Sequence, residues 1–246
     1  MSNNNFNDIL NEINNTKAPI SCYAVSTKEN VSILPLTLAQ QKSIIETSMD
    51  STLAALFFNS TFYKILKQNF KGDISKYNTI DRVNFAIALR SQLSDSYSSN
   101  DIKYSLSEIL KRNTSLPCVT PDIVVSSENY SFNVKVPNLL LDDRVNSLLL
   151  SKYKNENLNG VKLKTLISDL FVHEILKFIT KLKVNDKEID LHVDLQSSVS
   201  LIEKIDSSKF TEVTKYINNV REVERSFAIL IGANNSIDII PEFFIV

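Results

Sequence analysis

Glycine is nearly missing from this chain: Gly72, Gly160 and Gly232 are the only three in 246 residues. They stand too far apart to build a phosphate-cradling loop, which excludes the P-loop, the dinucleotide fingerprint and the kinase glycine loop. The G-x-S-x-G nucleophile elbow is absent as well. Two cysteines, Cys22 and Cys118, make neither a disulfide framework nor a thiolate metal site. Only two histidines, His173 and His192, are there for acid–base work. No apolar run approaches the ~20 residues that span a bilayer. Met1 to Asn15 is Asn-rich and has no basic region followed by an apolar one. The expectation is therefore a soluble, cytosolic chain with free thiols. Excess charge is missing too: 27 Lys+Arg face 28 Asp+Glu, a net of −1. Bulk attraction to nucleic acid or an anionic membrane is not expected. These gaps weigh against an enzyme and towards an interaction or structural protein.

What is present suffices for a sizeable core: 43% of residues are hydrophobic and 22% charged, near globular averages. Residues 1–18 read as a flexible arm that ends at Pro19. Ser21–Val25, a polar cluster from Ser26 to Asn30, and Val31–Leu34 read as a hairpin closed by Pro35. Thr37 and Gln40 form a capping-box pattern that opens a helix to about Met49. A second helix fits Ser51–Asn69, with Phe58, Phe62, Ile65 and Leu66 at helical spacing and Gly72 as the stop. A third begins at Thr79 or Asp81, and is apolar over so much of its surface that it belongs at the centre. Ser94–Asn100 reads as a loop. Ile102, Leu106, Ile109 and Leu110 suggest a short helix.

After Pro117 and Pro121 the pattern restarts. Ile123–Val125 and Tyr130–Val136, closed by Pro137, repeat the hairpin. A helix follows with Leu141, Val145, Leu148 and Leu149 on one face. A longer one runs from Val161 to about Leu182, with Ile167, Leu170, Phe171, Ile175 and Phe178. Phe210, Val213, Ile217, Val220 and Phe227 mark another. Phe227–Ile231 and Ile237–Ile240, closed by Pro241, form a third hairpin phrase. The closing prolines lie 102 and 104 residues apart. Near-equal spacing suggests internal duplication, and coincidence is the alternative, since the phrase is a common one. The fold class expected is α+β, predominantly helical with two or three short β-hairpins. Its divisions are the 1–18 arm, a 19–115 hairpin-helix unit and a 116–246 hairpin-helix unit with a terminal hairpin.

Few constellations carry chemistry. His173-Glu174 begins an H-E-x-x-H zinc motif, but Lys177 stands where the second histidine is needed, so His173 reads as a histidine on the flank of an amphipathic helix. Asp186, Glu188, Asp190 and Asp194 lack the glycine and glutamate of a calcium loop. They read instead as a solvated hairpin, Leu182–Leu191, turning at Asn185-Asp186. Asp142-Asp143 reads as dipole-complementing acids near a helix start. No catalytic, cofactor or metal residue is assigned. Lys152–Lys187 carries a net +4 and Glu188–Asp206 a net −4. These are either complementary docking poles, self-association included, or ordinary solvated faces. The apolar end from Ile239 to Val246 must be buried in the chain's own core or against a partner. Pro241, Phe243 and Phe244, with Tyr130 and Phe132 of the second hairpin, are the candidate partner-binding residues.

Leu34-Pro35-Leu36-Thr37 running into Gln40-Gln41-Lys42 resembles the start of the T4-type bacteriophage baseplate protein family. Thr79-Ile80-Asp81-Arg82 with Ala86-Ile87-Ala88-Leu89-Arg90 is similar to that family's next landmark. Leu163-Lys164-Thr165-Leu166, Glu174–Ile179, Ile237-Asp238 and Phe243-Phe244 are similar to its second half. The resemblance spans nearly the whole chain except the Asn-rich arm, and its motifs are loose patterns without a catalytic signature. It implies a contractile-tail phage and a role in building the baseplate hub. That role is either a chaperone-like assembly factor or a permanent hub subunit, partnered by hub, tail or tape-measure proteins. It implies no cofactor. The expected location is the host cytoplasm during assembly, or the virion.

Overall fold

The computed structural model describes residues 8, 9, 12, 13, 18–49, 53–118, 120–233 and 235–245. The 1–18 arm, apart from the few positions just named, and the helix start at Ser51 lie outside the described residues. Among the described residues, eight α-helices of more than one turn and eight strands form a mixed α+β fold with short antiparallel sheets.

β1 (Ile20–Ala24) pairs with β2 (Glu29–Ile33), with Ile20 opposite Ile33. Alternation puts Cys22, Ala24, Val31 and Ile33 on the buried face. Thr37 then caps α1 (Leu38–Glu46) through the reciprocal box: Gln40 N–H donates to Thr37 Oγ1 at 3.1 Å and Thr37 N–H to Gln40 Oε1 at 3.0 Å. α2 (Ala54–Asn69) follows. α3 (Asp81–Ser91) is buried at Asp81 and at every position from Val83 to Arg90, so it is the central helix the sequence implied. It packs on β1, where Cys22 Sγ donates to the Asn84 carbonyl at 3.4 Å and Asn84 Nδ2 to the Tyr23 carbonyl at 3.1 Å.

The expected loop at Ser94–Asn100 is instead a hairpin, β3 (Ser96–Ser99) with β4 (Ile102–Ser105). Its turn residues Asn100 and Asp101 have φ of 51° and 62°, the paired positive φ that joins two-residue hairpins. Serine-rich strands with no apolar alternation hide such a hairpin from sequence reading. Ile102 is therefore a strand residue, and α4 (Leu106–Asn113) begins after it under the Ser105 cap.

β5 (Ile123–Ser127) and β6 (Tyr130–Val134) form the second hairpin, which is half of a four-stranded sheet. α5 (Leu139–Tyr153) and α6 (Gly160–Phe178) intervene before β7 (Ile179–Val184) and β8 (Lys187–Asp190) complete the order β5-β6-β7-β8. The expected single helix from Val161 to about Leu182 thus stops at Phe178. β-branched Ile179, Thr180 and Val184 favour extended backbone, and Phe132 of β6 pairs with Leu182. The expected turn at Asn185-Asp186 is present, with Asn185 at φ 53°.

α7 (Leu195–Ile202), which the sequence reading did not identify, precedes α8 (Thr211–Ala228). The expected terminal hairpin is corrected. Phe227 and Ala228 continue the helical face of Val213, Ile217 and Val220. Among the described residues the hairpin is reduced to one antiparallel bridge, Ile229 with Ser236, flanked by Leu230 N–H to the Asn235 carbonyl at 2.9 Å and Ile237 N–H to the Ala228 carbonyl at 2.8 Å. Pro241 opens a short 3-10 turn, Pro241–Phe244, and does not close a strand. One apolar core runs from Cys22 to Phe244 and draws on both the 19–115 and the 116–246 stretches. A smaller cluster, with Leu53, Leu56, Leu149 and Leu166, sits where α2, α5 and α6 meet.

Candidate functional site

The five expected partner-binding residues fall in two places. Phe244 is fully buried, with its ring 6.1 Å from both Phe58 and Phe62 of α2. Phe243 is buried against Tyr97 at 5.6 Å, with the Arg90 guanidinium 5.9 Å over its ring. Their carbonyls are satisfied from within the chain: Arg90 Nε donates to Phe243 O at 2.7 Å and Gln41 Nε2 to Phe244 O at 2.8 Å. Pro241 is buried in the same turn. Phe132 is buried on the inner face of the sheet, 5.3 Å from Phe210, and only Tyr130, stacked on it, keeps partial exposure. Pro241, Phe243, Phe244 and Phe132 are thus buried within the chain: of the two homes open to the apolar end, the chain's own core is the one occupied. The cause is the 3-10 turn, which folds both phenylalanines back into the space between α1, α2 and α3.

A second site joins five helices through charge. α5 supplies Asp142 and Asn146, α6 supplies Glu174 and Lys177, α3 supplies Arg82, α2 supplies Tyr63, and α8 supplies Arg221 and Glu224. Lys177 Nζ lies 2.6 Å from Asp142 Oδ1, 3.1 Å from Asn146 Oδ1 and 3.4 Å from Glu174 Oε2. Arg82 reaches Asp142 at 3.7 Å and Glu224 at 3.9 Å. Arg221 pairs with Glu174 at 3.1 Å. Tyr63 Oη donates to Asp142 Oδ2. Asp142 lies in the first turn of α5, but the cap is Asn138, whose Oδ1 accepts from Leu141 N–H at 2.8 Å. Burial pushes the Asp142 carboxyl up, but Lys177 and Arg82 outweigh it and hold it below the usual range. Burial raises the Tyr63 phenol and the Glu224 carboxyl.

Lys177 thus occupies the zinc-histidine position as the buried counter-ion of Asp142. His173 is a buried residue of the same helix, with Nδ1 2.7 Å from the Asp169 carbonyl. Among the described residues no cluster of His, Cys, Asp and Glu is arranged to hold a metal ion. A cavity of about 700 Å³ adjoins the charged cluster, walled by Asn59, Arg82, Glu224, Arg225 and Asp238. Arg82, Lys177 and Arg221 are matched one for one by Asp142, Glu174 and Glu224. That arrangement neutralises the cluster and pins the helices together; Asp142, held ionised between two cations, is a poor proton donor.

The third feature is an exposed apolar face. From His173 to Phe178, α6 is buried except at half-buried Glu174. Its first half packs only Leu166 and Asp169 against α5. Leu163, Ile167 and Leu170 fall at i, i+4 and i+7, and Phe171 stands beside them on the same face. Ile167 is 58% exposed, Phe171 56% and Val161, nearer the helix start, 79%. A groove of about 240 Å³ continues this face between Leu170 and Phe171 of α6 and Thr214, Ile217 and Asn218 of α8. The sequence put Ile167, Leu170 and Phe171 on one apolar helix with Ile175 and Phe178. The structure buries the last two and leaves the first three in water. The signal for this was the apolar excess of Val161–Phe171, more than one helix face can bury.

No family model, no curated protein and no solved structure matches the chain. Among the described residues no helix is long and apolar enough to cross a membrane.

Proposed function

We propose that this chain is a non-enzymatic morphogenesis protein of a contractile-tail phage, acting in baseplate-hub assembly by covering apolar surface of a hub or tail protein. The resemblance at Leu34–Lys42, Thr79–Arg90 and Leu163–Ile179 supplies the context. The observation that carries the reading is the exposed apolar face of α6, an amphipathic helix presenting i, i+4, i+7 anchors to a partner helix.

Magnitudes favour reversible capture over a permanent joint. Full burial of one such side chain is worth about 1.5–3 kcal/mol. Five half-exposed residues therefore release roughly 5 kcal/mol, against an association cost of at least about 4 kcal/mol. The face binds weakly unless the partner adds contacts, as suits a factor that must let go once the hub closes.

Co-expression with the tail, hub and tape-measure proteins of the same phage, followed by size-exclusion chromatography, tests the proposal. A complex that forms with the wild type and is lost on Ile167→Asp with Phe171→Asp supports it; no complex with any of them refutes it. Mass spectrometry of purified virions then fixes the chain's fate. Absence marks the assembly factor, and stoichiometric presence marks the permanent hub subunit.

A further inference from the structure

The basic and acidic stretches of the sequence meet at the Lys181–Glu188 pair, and each also carries exposed apolar side chains away from it. On one side stands the first half of α6. Lys164 is exposed three and seven residues before Ile167 and Phe171, and makes no ion pair among the described residues. Among the described residues Lys162 pairs with Glu156, and both are exposed. On the other side lies a groove of about 620 Å³ between β8 and α7, lined by Glu188, Ile189, Asp190, Val193, Asp194 and Leu201. Val193 is 78% exposed and Ile189 is open to solvent beside it. β8 is the edge strand of its sheet, and all four of its residues are exposed. The groove's acids have local duties that leave them charged and outward. Glu188 pairs with Lys181 at 2.7 Å, Asp190 accepts from His192 N–H at 2.8 Å, and Asp194 caps α7 by accepting from Ser197 N–H at 3.1 Å. Lys204 is the groove's one cationic lining residue.

We propose that the acidic groove between β8 and α7 receives the basic, apolar first half of α6 from a second copy of this chain. Lysines flanking an apolar stripe meet carboxylates flanking Ile189 and Val193, so sign and hydropathy match together. The occupant cannot be the chain's own helix. α6 is unbroken from Gly160 to Phe178 and its second half is fixed in the core, so the first half has no hinge by which to fold back. Helix into groove is a heterologous contact: each copy offers one helix and one groove, and repetition gives a ring or an open chain of copies. The inference does not rest on the phage reading, although it engages the same helix. Self-association would shelter the α6 face until a partner competes for it.

Sedimentation velocity of the full chain from micromolar to hundreds of micromolar tests the proposal. The expected result is a weight-average mass that rises with concentration and falls in 1 M salt, where the screening length drops to about 3 Å. Lys164→Glu and Glu188→Lys should each weaken association roughly tenfold or more. Both sites are exposed, and thermal unfolding confirms that each variant remains folded. An equimolar mixture of the two variants should regain association, because one contributes an intact groove and the other an intact helix. A wild type that stays monomeric throughout overturns the proposal. So does Glu188→Lys without effect beside a Lys164→Glu that abolishes association, since that pattern means α6 pairs with α6. A mixture that fails to recover overturns it as well.

Discussion

Replacing Lys177 with methionine removes one ammonium from the five-helix junction and keeps the packing of its stem. The side chains of Lys177 and Asp142 are 11% and 4% exposed, so their pair belongs with buried ion pairs and not with solvated ones. Removing one partner of such a pair costs about 3–5 kcal/mol, because the other charge stays buried. Asp142 would keep Arg82 at 3.7 Å and the Tyr63 hydroxyl, which places the loss near the lower end, ~3 kcal/mol. At about 2–4 °C per kcal/mol for a chain of this size, the Tm falls by roughly 6–12 °C. The pH dependence follows from the direction of the Asp142 shift. Its folded carboxyl titrates below the ordinary 3.8, so its stabilisation is complete above that value and lost as pH falls through the folded one. Without Lys177 the carboxyl is left to burial, opposed by Arg82 and the Tyr63 hydroxyl, and titrates higher. The deficit of Lys177→Met is therefore largest at neutral pH and narrows below about pH 4. Adding Asp142→Asn to Lys177→Met should recover at least about 1 kcal/mol. Thermal and urea unfolding by circular dichroism at pH 7 and pH 4 read all three quantities. A single-variant loss under about 1 kcal/mol, or a double variant no more stable than the single, refutes the reasoning.

Two further outcomes follow from burial. Phe244→Ala empties a fully buried ring site between Phe58 and Phe62; urea unfolding should show a loss of about 3–5 kcal/mol, and a loss under about 1 kcal/mol would mean the ring is not part of the core. Burial also lowers both His173 and His192 from the ordinary 6.5, so the unfolded chain takes up protons first as pH drops. Stability should be full above about pH 6.5 and decline below it, with a shallower decline in His173→Gln; identical pH profiles for that variant and the wild type would remove His173 as a cause.

Much of the fold was legible because local chemistry and tertiary structure agree. The Thr37–Gln40 box, the all-round apolar α3 and the Asn185-Asp186 turn each follow from a few residues whose local preference matches their final place. The β3–β4 hairpin was missed because its serine-rich strands carry no apolar alternation; two other misses share a different cause, a deciding contact remote in sequence. Ile179–Val184 continues an apolar helical period, and only the waiting edge of β6, some 45 residues earlier, makes it a strand. Phe227 and Ala228 read equally well as strand or helix until α8 is seen to carry them into the core. The site was less legible than the fold. Asp142 and Lys177 are 35 residues apart, and Arg82 and Glu224 are farther still, so no spacing reveals their junction. The terminal Phe243-Phe244 pair was legible as buried but not as buried in its own chain. That depends on carbonyl donors, Arg90 and Gln41, from distant helices.

On the proposed reading, the exposed face of α6 is the surface that meets an assembly partner. Hydrogen–deuterium exchange of the chain alone and bound to its co-purified hub or tail partner tests it most directly. Exchange should slow across residues 160–172 on binding, while the segment carrying Phe243 and Phe244 keeps the protection it has in the free chain. Unchanged exchange in 160–172 beside new protection elsewhere would contradict it.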